Sequence, residues 1–158
     1  MKYLYMLHQE DLLKKTLRDI DEKRKKFKKK AIRLQKIDDA SSVGITTCNA
    51  VTVSSIVLTM STANPATLIV SAVFSSISTL GTAVKSAYQL QRKVQTHKDA
   101  YLNLTILARD IRFFLTKAHE NEDDYSCFIT DVNNRLALIE DTVNLIETDS
   151  QERLINEH

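Results

Sequence analysis

The chain has 158 residues, the length of one ordinary domain, which excludes an enzyme built from separate cofactor and substrate lobes. Two glycines, Gly44 and Gly81, and one proline, Pro65, are too few for the turns of a sandwich, a barrel or a doubly wound sheet. The expected class is therefore all-α, and a net charge of only +2 hides opposite signs at the two ends.

At the N-terminus, Tyr3 to Leu7 is apolar, but Gln9, Glu10 and Asp11 stop it short of a signal-peptide core, so the start reads as mature sequence. The first element, residues 1–39, is a basic amphipathic helix. From Leu12 to Asp38 the apolar residues Leu13, Ile20, Phe27 and Leu34 recur every seven positions, with Leu17 and Ala31 at the companion positions. Its other faces carry Lys23, Arg24, Lys25, Lys26, Lys28, Lys29, Lys30, Arg33 and Lys36. No base-reading element accompanies this run and Phe27 sits on the apolar stripe, so nucleic acid is not the expected partner. Anionic lipid headgroups are, at about 1 kcal/mol per basic residue near a charged surface.

Between Asp39 and Lys85 nothing ionises except Cys48, a run of 45 residues from Ala40 to Val84. A bilayer core needs about 20 apolar residues per helix, so the run suits a two-span hairpin with crossings near 42–61 and 66–84. The turn falls near 61–66, where Asn64 followed by Pro65 favours chain reversal and proline suits the first turn of a helix. Basic residues flank both spans, with Lys85, Arg92, Lys93 and Lys98 following the second, and the turn has none. Both termini are then expected in the cytosol.

In the second span Thr67, Ser71, Ser75, Ser78 and Thr82 lie within about an 80° arc, opposite Ile69, Val73, Ile77 and Leu80. They can form a packing seam between helices or, in an oligomer, line a water-filled path. Asn49 is the most polar side chain of the first span and needs a hydrogen-bond partner there, most simply a hydroxyl of the second span. Seventeen Ser or Thr in the 45 residues leave the spans only marginally hydrophobic, which keeps a soluble reading open.

Beyond the hairpin, residues 85–118 read as a heptad helix that continues the second span without interruption from about Ala66 to Ala118. Ala87, Val94, Tyr101, Ala108 and Leu115 hold one register; Leu90, His97, Leu104, Ile111 and Ala118 hold the other. The polar patch from His119 to Asp124 ends that phase, and Asn121 or Asp124 is placed to cap a last amphipathic helix, 121–148. Its stripe is Tyr125, Phe128, Val132, Leu136, Ile139, Val143 and Ile146, and its C-terminus is expected to fray. This acidic end, with eleven acidic residues against two Arg over 119–158, is a counterpart for the basic first helix. The long helices are expected to form a bundle or coiled coil on the cytosolic side.

Catalysis is not signalled. His8, His97, His119 and His158 are scattered, Cys48 and Cys127 have no metal-site spacing, and no glycine loop could cradle phosphate, so neither cofactor nor metal is expected.

The order of these parts resembles the SLATT superfamily of two-transmembrane effector domains. The resemblance covers roughly 23–146 and rests on the basic helix, the uncharged hairpin, and a long helix bearing His97-Lys98-Asp99-Ala100-Tyr101-Leu102-Asn103-Leu104 and Asp110-Ile111. It implies a domain that assembles in membranes and perturbs them within prokaryotic nucleotide-signalling conflict systems, under an upstream signalling partner. Three readings follow: a self-associating pore-forming or membrane-perturbing effector; a virion scaffold joining an internal membrane to a protein shell; and a soluble helical bundle concealing its apolar hairpin until it meets a target membrane.

Overall fold

The computed structural model describes residues 2–62, 65–117 and 122–156. Four helices make up the described chain: α1 Lys2–Thr62, α2 Pro65–Ala87, α3 Leu90–Thr116 and α4 Glu122–Asn156, with no strand among the described residues. The chain divides into two compact units, Met1–Ile32 with Lys93–Asp149, and Arg33–Arg92 with Ser150–His158.

The first unit is built from the start of α1, most of α3, and α4. Its core joins Leu13 and Ile20 of α1 to Ala100, Leu104, Leu107, Ala108 and Ile111 of α3 and to Tyr125, Val132, Ile139 and Val143 of α4. Burying each Leu or Ile stabilises this unit by about 1.5–3 kcal/mol, so the apolar stripes carry its stability. Polar pairs set direction instead. Lys23 donates to Glu140 and Lys30 to Glu147, seven residues on in both helices, so α1 and α4 run parallel. Asp21 meets Arg112 at 2.9 Å whereas Phe27 stacks on His97, so α3 runs antiparallel to α1. These surface pairs are each worth under about 1 kcal/mol because water screens them. At the other end of α3, Phe114 stacks on Phe128 at 4.0 Å and meets Tyr125 edge-on at 5.1 Å.

The second unit pairs the rest of α1 with α2 in an antiparallel hairpin. Thr59 is hydrogen-bonded to Thr67, Asn49 to Ser78, and Asp38 forms an ion pair with Lys85, three rungs from the turn to the base.

The structure differs from the sequence reading over where a helix continues. The uninterrupted helix expected from Ala66 to Ala118 is broken at Tyr88 and Gln89, and α1 instead runs without a break through the first apolar segment. Register explains both. From Leu13 through Phe27, Leu34, Ile45 and Ser55 to Thr59, alternating steps of four and three residues land on a buried or half-buried side chain throughout. One heptad phase therefore serves the whole of α1. On the return path the inward positions of α2 are Thr67, Ser71, Phe74, Ser78, Gly81 and Lys85, and those of α3 are Leu90, Val94, His97, Tyr101, Leu104, Ala108, Ile111 and Leu115. Continuing the α2 phase gives 88, 92 and 95, two residues out of step with α3. In a single straight helix the two seams would point about 200° apart. Between the two helices Gln89 takes φ 45°, Tyr88 N–H donates to Val84 O at 3.0 Å, and Gln89 N–H donates to Ser86 O at 3.0 Å. Ala87, expected on the seam, belongs to the last turn of α2, where Lys85 holds the inward position; Leu90 opens the α3 phase.

The last helix runs to Asn156, past the fraying expected near residue 148. Asn121 lies outside the described residues, as do Ala118 and His119. Asp124 is not a cap, because it sits inside the first turn of α4 after Glu122 and Asp123, where negative charge suits the helix dipole.

Candidate functional site

The hairpin is inverted relative to a water-soluble helix pair. Its buried side chains are hydroxyls, Ser55, Ser71 and Ser78, each 6–7 % exposed. Its large apolar side chains point outward: Val53, Val57, Leu58 and Met60 on α1 and Leu68, Ile69, Val73, Ile77, Leu80 and Val84 on α2 are all at least half exposed. Globular domains bury such residues and rarely expose a contiguous apolar patch of this size. Two helices carry a stretch long and apolar enough to cross a membrane, one in α1 and one beginning at Pro65, and very little of either stretch is buried within the protein.

The hydroxyl arc of α2 divides. Thr67 bonds to Thr59, Ser71 is buried and donates to Leu68 O at 2.9 Å, and Ser78 is buried and donates to Asn49 Oδ1 at 2.6 Å. Ser75 and Thr82 lie on an exposed edge, with Thr82 bonding back to Ser78 O at 2.9 Å. The inward places at these turns belong to Phe74 and Gly81. A Cβ at Gly81 would stand 3.2 Å from Ile45 Cγ1, so this glycine sets the close approach of the two helices. Heptad spacing counted without regard to polarity would have found both; hydrophobicity alone hides a seam made of small polar residues. Thr46, Thr47, Thr52, Thr59, Ser76 and Thr79 also donate to carbonyls one turn back, which satisfies their donors within their own helix. Asn64 of the expected turn lies outside the described residues; Pro65 is the first residue of α2.

A charged clasp closes the base of the hairpin. Lys85 Nζ lies 2.9 Å from Asp38 Oδ1 and donates to Ser42 Oγ at 2.5 Å, with Lys85 a quarter exposed and Asp38 less. The sequence reading assigned Lys85 only to the basic flank. Although 47 positions apart in the chain, Asp38 and Lys85 meet in one ion pair because the α1 and α2 seams share a phase.

The other basic residues are distributed around α1. Lys23 and Lys30 engage α4, Arg24 meets Asp21 at 3.2 Å, and Lys28 lies 5.8 Å above the Tyr101 ring. Lys25, Lys26, Lys29, Arg33 and Lys36 are exposed, and Lys93 is half-buried at the start of α3. Arg92 approaches Gln89 Oε1 at 3.3 Å beside the helix break.

His97 is the buried titratable group of the first unit. It is 2 % exposed, stacks on Phe27 at 5.7 Å, and places Nε2 3.5 Å from Glu147 Oε1, while its buried Nδ1 has no hydrogen-bond partner. Burial first, then Lys30 and Lys93, hold its pKa below the usual histidine range against the opposing pull of Glu147. The hydrogen bond from Lys30 holds Glu147 below the usual carboxylate range. The glutamate is thus committed to the lysine, and the imidazole stays neutral. Among the described residues no group of three or more His, Cys, Asp or Glu is placed to hold a metal ion. No family model, curated protein or solved structure matches the chain.

Proposed function

We propose that this chain is a non-enzymatic, self-associating integral membrane protein whose α1–α2 hairpin crosses the bilayer, with both termini in the cytosol, and that it acts as a membrane-perturbing effector. The observation that carries the reading is the inverted burial of the hairpin: hydroxyls inside, Val, Ile and Leu outside. Between helices in lipid the hydrophobic effect supplies no driving force, so small and hydroxyl-bearing residues occupy the contacts and apolar ones face the acyl chains. The distance fits as well. From Asp38 at the clasp to Thr62 at the end of α1 is 24 residues, about 36 Å of helix, enough for a hydrocarbon layer of about 30 Å with some tilt. The Asp38–Lys85 pair then lies at the headgroup level, and the basic residues before and after it select the cytosolic face.

The effector role rests on the resemblance to two-span effector domains and on the exposed apolar area of the hairpin. Alkaline carbonate extraction of expressing cells, combined with protease protection of tagged termini, tests the placement. The protein is expected in the membrane pellet with both tags cleaved from the cytosolic side. Recovery in the supernatant as a monodisperse species overturns it in favour of the soluble bundle. Dye release from liposomes containing the protein tests the effector role; intact liposomes together with co-purification of a protein shell favour the scaffold.

A further inference from the structure

The hairpin leaves one strongly polar group incompletely paired. Asn49 accepts the Ser78 hydroxyl through Oδ1, but its two Nδ2 protons meet no acceptor among the described residues, and the side chain lies on the outside of the helix pair. Asn49 is eleven residues beyond Asp38, about 16 Å along the helix, which is half the thickness of a bilayer core. No water is available at that depth, and an unpaired amide is costly there.

The surroundings of Asn49 are uneven. The two helices run antiparallel, so residues that follow the second seam position of each heptad line one edge of the pair, and residues that precede the first seam position line the other. The first edge holds Ser42, Asn49 and Ile56 of α1 and Leu68, Ser75 and Thr82 of α2, so its apolar members Ile56 and Leu68 lie toward the turn while Asn49, Ser75 and Thr82 are exposed polar or hydroxyl side chains, and the Ser75 hydroxyl also meets no partner among the described residues. The opposite edge holds Val51, Leu58, Val70, Ile77 and Val84, which need nothing beyond acyl chains.

We propose that the Asn49 edge is the contact between two copies of this chain, each Asn49 donating an Nδ2 proton to Oδ1 of the other. The inference rests on the membrane placement proposed above. Copies inserted with the same orientation are related by a two-fold axis along the membrane normal, which brings residue 49 of both to the same depth. Such a contact is self-complementary. Oδ1 keeps a lone pair free beside the Ser78 bond, and small Ser75 and Thr82 let the second hairpin approach closely.

The test uses the full chain, labelled for energy transfer and reconstituted in phosphatidylcholine vesicles containing one-fifth phosphatidylglycerol by design. Association is measured against protein-to-lipid ratio for wild type, Asn49→Leu and Asn49→Gln, and flotation of the same vesicles reports insertion separately. Wild type is expected to pair, Asn49→Leu to float equally but pair about tenfold more weakly, and Asn49→Gln to stay near wild type. Pairing of Asn49→Leu at the wild-type ratio, or a wild type that floats yet stays monomeric, overturns the contact. If wild type fails to float, it is the membrane placement that falls, and the contact with it.

Discussion

Removing Tyr88 and Gln89 together is expected to fuse α2 and α3 into one helix. The deletion moves Leu90, Val94 and His97 to positions 88, 92 and 95, which are the next steps of the Ser78, Gly81, Lys85 phase. It also removes a non-glycine residue at φ 45°, a conformation that costs about 1–2 kcal/mol for an L side chain. Removing Gln89 alone leaves the seams about 100° apart, so either buried residues such as Leu104 and Ile111 rotate out of place or another residue unwinds. Exposing even one such side chain costs about 1.5–3 kcal/mol. Thermal stability should therefore vary non-monotonically with deletion length: the single deletion melts below wild type, and the double deletion at or above it. A 1 kcal/mol difference corresponds to roughly 4–8 °C for a unit of this size. Circular dichroism melts of the detergent-solubilised chain read the order. A single deletion as stable as the double one refutes the register argument. Gln89→Gly is the companion variant. It removes the steric cost but adds about 0.4–1 kcal/mol of unfolded-state entropy, leaving a net gain on the order of 0.5–1 kcal/mol.

Other consequences concern single side chains. His97 has a folded pKa below its unfolded value, so its contribution is fully present above the unfolded histidine pKa and is lost as pH falls below about 6.5; Glu147 acts in the same sense below about 4.5. The wild-type bundle should lose stability between pH 7 and 5.5 in denaturant titrations, and His97→Phe should flatten that slope; an unchanged slope refutes the assignment to His97. Gly81→Leu should wedge the hairpin apart at Ile45 and break the Asn49–Ser78 bond one turn away, seen as faster amide exchange across 45–52 in lipid, whereas Gly44→Ala, with open space around it, should leave exchange unchanged. Reversing Lys23 and Lys30 to Glu should destabilise the bundle by no more than about 1–2 kcal/mol, and reversing Glu140 and Glu147 to Lys in the same chain should restore it. Failure of the combined variant to recover would show that the parallel pairing of α1 and α4 has another origin.

The all-helical class, the seven stripe residues of α4 from Tyr125 to Ile146, each buried or half-buried, and the stripe of α1 from Leu13 to Leu34 were legible in the sequence because apolar residues at helical spacing need a partner whatever it is. The 45-residue run without charge was equally plain, because the absence of ionisable side chains is counted along the chain without reference to any partner. The partition of the hydroxyls was not legible: an 80° arc on one helix admits several facing directions, and only the position of α1 separates Ser71 and Ser78, which turn inward, from Ser75 and Thr82, which do not. The Asp38–Lys85 clasp and the unpartnered His97 Nδ1 likewise depend on residues far apart in the chain. The break at Gln89 shows the same limit. Each seam could be counted along its own helix, but φ 45° at the non-glycine Gln89 is a local backbone state that apolar spacing does not encode.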